Sequence, residues 1–189
     1  MANLLTIGRI LLIIPFTALF FVAWRPAMIA ALLIYVLAAL TDLFDGMVAR
    51  ARGETSAVGA ALDPLADKLL VAAAILLLTK NGVIAGPAIL AALIILLREM
   101  LVAGLREALA GQGRALPVAP LAKWKTAAQM LATASLLAVA PSGLAGAAFI
   151  PIANGLLWIA AALTFWTGAD YAAKAAGALR RGPDGSGGR

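Results

Sequence analysis

Six apolar stretches, each close to the roughly 20 residues an α-helix needs to cross a bilayer core, divide this chain almost end to end. They run over about 3–21, 27–51, 58–78, 84–109, 121–139 and 147–172. A segment surrounded by hydrocarbon must satisfy its own backbone hydrogen bonds, and a helix does so within itself. The expected architecture is therefore all-α: a polytopic membrane protein whose six transmembrane helices form one bundle around a polar cavity facing the cytoplasm. With 63% hydrophobic and only 13% charged residues, the composition departs from that of a soluble domain, in which about a quarter of residues carry charge. The first stretch follows an early cation, as a signal peptide does, but it shows no small-x-small cleavage site and runs on into further apolar sequence. It reads as the first membrane helix.

Breakers and polar clusters separate the stretches. Trp24, Arg25 and Pro26 close the first, Lys80, Asn81 and Gly82 the third. The link 110–120 carries two glycines, two prolines and Arg114, which is loop chemistry. No internal repeat is evident. The membrane domain is expected over 1–175, followed by a basic, glycine-rich, disordered cytoplasmic tail over 176–189. Six spans put both termini on one side. Arg50, Arg52, Arg114, Lys123, Lys125, Lys174, Arg180 and Arg181 fall near the ends on that side, against Arg25 and Lys80 opposite. The positive-inside rule makes the richer side cytoplasmic. The chain is thus expected in the cytoplasmic (inner) membrane, with the polar cavity and both termini inside.

Inventory excludes whole classes of chemistry. With no cysteine and no histidine, the chain has no disulfide, thiolate or imidazole ligand and no Cys/His nucleophile, so any metal must be held by oxygen. The net charge of +6 is scattered among apolar helices without a basic stripe or aromatic platform, which argues against nucleic acid. Anionic lipid headgroups and phosphorylated substrates are the better partners.

One constellation stands out. From Asp42 the chain reads Asp42-x2-Asp45-Gly46-x2-Ala49-Arg50-x8-Gly59-x3-Asp63-x3-Asp67. Spacings of three and four place Asp42, Asp45 and Ala49 on one helix face, and Asp63 and Asp67 on one face of the next. The short turn through Arg52, Gly53 and Glu54 lets the two pairs face each other. Four carboxylates in an apolar bundle cannot stay ionised and unpaired, since each costs several kcal/mol. A lone intramembrane Asp would suit a proton relay or an ion site equally well. Four, with an adjacent arginine, suit a pair of Mg2+ or Mn2+ ions of the kind used in phosphoryl displacement. Gly46, Ala49 and Gly59, taken singly, are ordinary packing residues. Taken with the acids, they leave room for a flat or bulky ligand beside Arg50, whose planar fork matches diphosphate oxygens.

The eight specified residues resemble the complete signature of the CDP-alcohol phosphotransferase family. That resemblance implies six transmembrane helices, a homodimer, a two-metal site and a CDP-linked lipid donor. By it, Asp42, Asp45, Asp63 and Asp67 match the metal ligands, with Asp67 also the general base. Gly46, Ala49, Arg50 and Gly59 match positions around the CDP moiety. Further stretches are similar to the branch that makes phosphatidylglycerol phosphate from CDP-diacylglycerol and glycerol 3-phosphate. They are the N-terminal Asn3-Leu4-Leu5-Thr6-Ile7-Gly8-Arg9, Asp63-Pro64-Leu65-Ala66-Asp67-Lys68, the pair Arg98-Glu99 with Leu105-Arg106-Glu107, and Lys123-x-Lys125-Thr126-x-x-Gln129. Ala2 stands where that branch usually carries proline. The sixth stretch and the tail add nothing that discriminates.

The acceptor is then an anion. Arg98, Arg106, Lys123 and Lys125 are the candidates to bind its phosphate, with Glu99 and Glu107 limiting the net field. Arg98 and Arg106, eight apart, lie near one helix face. The alternative for the two lysines is that they snorkel to the headgroups; Thr126 and Gln129 fit hydrogen bonding or packing equally. Sibling enzymes using inositol phosphate, serine or phosphatidylglycerol remain alternatives. So, more distantly, does an ion-coupled transporter, although the broken-helix segments in matching halves that favour one are missing.

Overall fold

The computed structural model describes residues 2–22, 24–52, 57–113, 121–141 and 143–180, with side chains at all of these except 2–6, 42–52, 57–65, 67 and 121–123. Among them are six α-helices and no strand. α1 spans Ala2–Leu19, α2 Arg25–Arg52, α3 Ala57–Lys80, α4 Ala88–Ala110, α5 Leu121–Val139 and α6 Ile150–Arg180, the last preceded by a 3-10 turn at Ala147–Phe149. The all-α expectation holds, and each apolar stretch corresponds to one helix.

Boundaries moved where backbone chemistry overrode hydropathy. The fourth helix was expected from 84 and starts at Ala88. Val83 and Ile84 belong instead to the turn that ends α3, and both are buried. Val83 N–H donates to the Leu78 carbonyl at 3.0 Å and Gly82 N–H to the Thr79 carbonyl at 3.0 Å, with Gly82 at φ +72°. This is a Schellman stop: the left-handed residue is the one without a Cβ, and Val83 folds back toward buried Leu78. At the other end of the chain, α6 runs to Arg180, past the expected domain end at 175. The sequence from Tyr171 to Leu179 is rich in alanine and has no proline, so nothing stops the helix there. The tail from 181 to 189 lies outside the described residues.

α6 packs most closely on α5 and α4, while α1 lies against both α3 and α2, and α2 and α3 reach α5. Alanine lines much of this contact. Ala88, Ala91 and Ala92 of α4, Ala132 of α5 and Ala153, Ala160 and Ala161 of α6 are all buried, and small side chains let helix backbones approach. Large residues fill the centre: Phe16 meets Phe20 edge to face at 5.3 Å between centroids and lies 6.3 Å from Tyr35. This main core joins residues from all six helices, including Leu78, Ile95, Leu136 and Leu157. Among the described residues, a smaller core of Val102, Leu109, Tyr171 and Ala175 joins α4 and α6. Rising numbers on both helices lead from the first core to the second, so α4 and α6 run parallel.

The outside of the bundle is apolar as well. Leu33, Leu37, Leu76, Leu97, Leu101, Leu131, Phe165 and Trp166 are exposed. Patches of that extent on a water-facing monomer would be anomalous. α4 and the stretch Ala147–Arg180 are long and apolar enough to cross a membrane, whereas Ile7–Leu19 and Arg25–Thr41 are shorter apolar stretches.

Candidate active site

Between the two apolar cores lies a polar layer built by three helices. On α4 it falls between Ile95 of the main core and Val102 of the smaller one; on α6 it falls between Ala161 and Tyr171. At its centre, Glu99 Oε1 accepts from Arg98 Nη1 at 3.0 Å, from Lys125 Nζ at 2.5 Å and from Gln129 Nε2 at 3.5 Å. Gln129 Nε2 also donates to Thr164 Oγ1 at 3.0 Å, and Arg98 Nη2 donates to Thr167 Oγ1 at 3.1 Å. The Thr167 hydroxyl in turn donates along its own helix, to the carbonyl of Leu163 at 2.8 Å or of Thr164 at 3.1 Å. Little of this is wet. The side chains of Arg98, Glu99 and Lys125 are only 11%, 14% and 8% exposed.

Among the described side chains this cluster sets two cations, Arg98 and Lys125, on one carboxylate. Buried charges persist only when paired and hydrogen-bonded, and removing one partner of such a set typically costs about 3–5 kcal/mol. Glu99 therefore holds two like charges side by side. About two turns farther along α4, the Arg106 guanidinium carbon lies 5.6 Å from the centroid of the Tyr171 ring, within cation–π reach. Arg98 and Arg106 thus both turn toward α6, as their spacing of eight anticipated.

α6 was the helix from which the sequence offered nothing that discriminates, and it furnishes one side of this polar layer. Thr164, Thr167, Gly168 and Tyr171 follow at helical spacing along its inward side, and all four are buried. The signal was present: two threonines and a glycine three and four apart, set in an otherwise apolar span. Gln129, left open between packing and hydrogen bonding, bonds both Glu99 and Thr164.

Other candidates stay beyond this geometry. The side chains of Asp42, Asp45, Ala49, Arg50, Asp63, Asp67 and Lys123, and the surroundings of Gly46 and Gly59, lie outside what is described. Their backbones are helical, with Asp42 and Asp45 on α2, Asp63 and Asp67 on α3 and Lys123 on α5. Among the described residues no three acidic, histidine or cysteine side chains cluster as a metal site would.

The comparison with known proteins bears on these helices together. The family model described as CDP-alcohol phosphatidyltransferase matches residues 1–166. The chain belongs to this family. Among relatives of this CDP-alcohol phosphatidyltransferase, a protein of Rickettsia typhi is 43% identical, aligned over 89% of this chain and 93% of its own. One from Cereibacter sphaeroides is 38% identical over 92% of this chain and 94% of its own, and one from Pseudomonas fluorescens 43% identical over 82% and 84%. All three are named CDP-diacylglycerol–glycerol-3-phosphate 3-phosphatidyltransferase. The family match covers Arg98, Glu99, Lys125, Gln129 and Thr164 and stops one residue short of Thr167.

Proposed function

We propose that this transferase moves the phosphatidyl group of CDP-diacylglycerol onto sn-glycerol 3-phosphate, giving phosphatidylglycerol phosphate and CMP. The likeness to relatives of that name, extending over about nine tenths of both chains in two of them, carries the reading. Arg98, Arg106 and Lys125 support it as cationic hydrogen-bond donors suited to a phosphate, because glycerol 3-phosphate carries one and serine does not.

All six helices cross the cytoplasmic membrane as a homodimeric subunit, with both termini and the site on the cytoplasmic side. The exposed apolar side chains on α2 to α6 face lipid, and the donor's acyl chains enter between helices. Asp42, Asp45, Asp63 and Asp67 would hold two Mg2+ or Mn2+ ions. The donor set fits: it is all carboxylate oxygen, in two pairs each sharing a helix face, within a chain that has no histidine or cysteine. When bound, such ions neutralise the carboxylates and polarise the diphosphate as Lewis acids.

The remaining chemistry belongs to the chain. Gly46, Ala49 and Gly59 leave space for the CDP moiety, and Arg50 donates to its diphosphate. Arg98, Arg106, Lys123 and Lys125 bind the acceptor phosphate, and the Asp67 carboxylate takes the proton from the primary hydroxyl. That oxygen attacks the β-phosphorus of CDP-diacylglycerol, the bond to the bridging oxygen breaks, and CMP leaves. No covalent enzyme intermediate is needed.

Release of labelled CMP by purified protein tests this, with glycerol 3-phosphate, inositol phosphate, serine and phosphatidylglycerol supplied one at a time. Release that depends on glycerol 3-phosphate and on added Mg2+ or Mn2+ is expected, and Asp67→Asn should abolish it while the protein stays folded. Release with another acceptor alone would replace the reading with that sibling activity.

A further inference from the structure

We infer that Thr167 and Gly168 of α6 are positioning residues for acceptor recognition, setting the course and orientation of the Arg98 side chain. The inference rests on the reading of Arg98 as a ligand of the acceptor phosphate. Two independent features carry it. A Cβ built on Gly168 would lie 2.5 Å from Arg98 Cγ, 2.9 Å from Nε and 3.2 Å from Cδ. The obstructed atoms are the stem of the arginine, not its free end, so any side chain at 168 must push Arg98 off its path across α6. Glycine at this site is not there for backbone freedom, since it lies within a continuous helix. Its function is the missing Cβ.

The second feature is the hydrogen bond from Arg98 Nη2 to Thr167 Oγ1 at 3.1 Å. Because the Thr167 hydroxyl donates back to its own helix, its oxygen lone pair is fixed in direction before the arginine arrives. With Glu99 accepting from Nη1, both terminal nitrogens are held and the guanidinium plane is locked. Nε is enclosed beside Gly168 and meets no acceptor among the described residues. Each terminal nitrogen keeps a second N–H, and these donors are what a phosphate oxygen would accept. An arginine held this way loses little freedom on binding, whereas a displaced one must be reordered for each acceptor.

The test is steady-state CMP release by the full chain in detergent–lipid micelles, with glycerol 3-phosphate and CDP-diacylglycerol varied separately. Gly168→Ala should raise the KM for glycerol 3-phosphate about tenfold or more, leaving kcat and the KM for CDP-diacylglycerol within about twofold. Gly155→Ala, on the same helix where an added Cβ meets nothing within 4 Å, is the matched control and should change neither constant. Thr167→Val should raise the acceptor KM several-fold, and Thr167→Ser should restore it. In an Arg98→Ala background, Gly168→Ala should add no further loss, because its effect passes through that side chain.

An unchanged acceptor KM in Gly168→Ala, or a loss that adds fully to that of Arg98→Ala, would overturn the inference. If Gly168→Ala does not fold, the Thr167→Val and Thr167→Ser pair decides, and failure of serine to restore the acceptor KM counts against it. Unaltered protein that releases CMP only with an uncharged acceptor would remove the underlying reading, an outcome visible before any variant is made.

Discussion

Glu99 bonds two cations that would otherwise repel each other in a largely dry layer. Truncating it should harm the fold more than the chemistry. Glu99→Ala is expected to destabilise the protein by about 3–5 kcal/mol, because Arg98 and Lys125 both lose the buried carboxylate that they share. Thermal unfolding in detergent would register this as a clear fall in Tm; an unchanged Tm would show that water compensates the pair. Arg106 is a contrasting case. It is exposed and rests against Tyr171, so its substitution leaves no buried charge unpaired. Arg106→Ala should raise the KM for glycerol 3-phosphate with Tm nearly unchanged, a separation that kinetics and unfolding on one preparation can check. The exposed Lys174–Asp170 pair at 2.7 Å is expected to contribute nothing measurable.

At the level of the helix, the device most open to test is the stop of α3. Gly82 holds φ at +72°, a region that costs other residues about 1–2 kcal/mol. Gly82→Ala should therefore lower stability by about that amount while leaving transfer kinetics intact, since α3 carries its aspartates at the opposite end. A melting curve paired with a CMP-release assay distinguishes this from a loss of activity through displaced aspartates. α6 shows the converse arrangement. With 31 residues it would extend about 46 Å at helical rise, well beyond a hydrocarbon core of about 30 Å. Its last turns, carrying Lys174 and Arg180, would stand in the headgroup region, where cations are favourable.

For the whole molecule, the sharpest consequence is topological. The chain has no native cysteine, so a single introduced thiol reports its side of the membrane without background. In intact cells, an impermeant maleimide should label Ala85→Cys, in the exposed α3–α4 turn, and spare Ser186→Cys in the tail. Labelling after permeabilisation should reach both. The reverse pattern would invert the bundle and put the site outside. The same arrangement accounts for the distribution of side chains: alanine makes many of the close helix contacts inside, while leucine and phenylalanine not only fill the centre but also, with tryptophan, cover much of the exterior. In lipid no hydrophobic force drives helices together, so close packing and polar bonds between them must do so.

Helix number and approximate position were readable in the residues, since apolar length and breakers act locally. The family was readable too, because its eight signature positions fall close together in the chain, within 42–67. Boundaries at Ala88 and Arg180 were not, because a turn buried Val83 and Ile84 and because an alanine-rich run continues as helix without apolar periodicity. Nor was the contribution of α6. Thr164, Thr167 and Gly168 have no meaning until α6 is laid beside α4 and α5, more than thirty residues away in the chain for each hydrogen bond involved. A sequence records which groups can pair and which backbones can bend; only packing decides which of them meet, because a buried charge takes its partner from whichever helix lies against it.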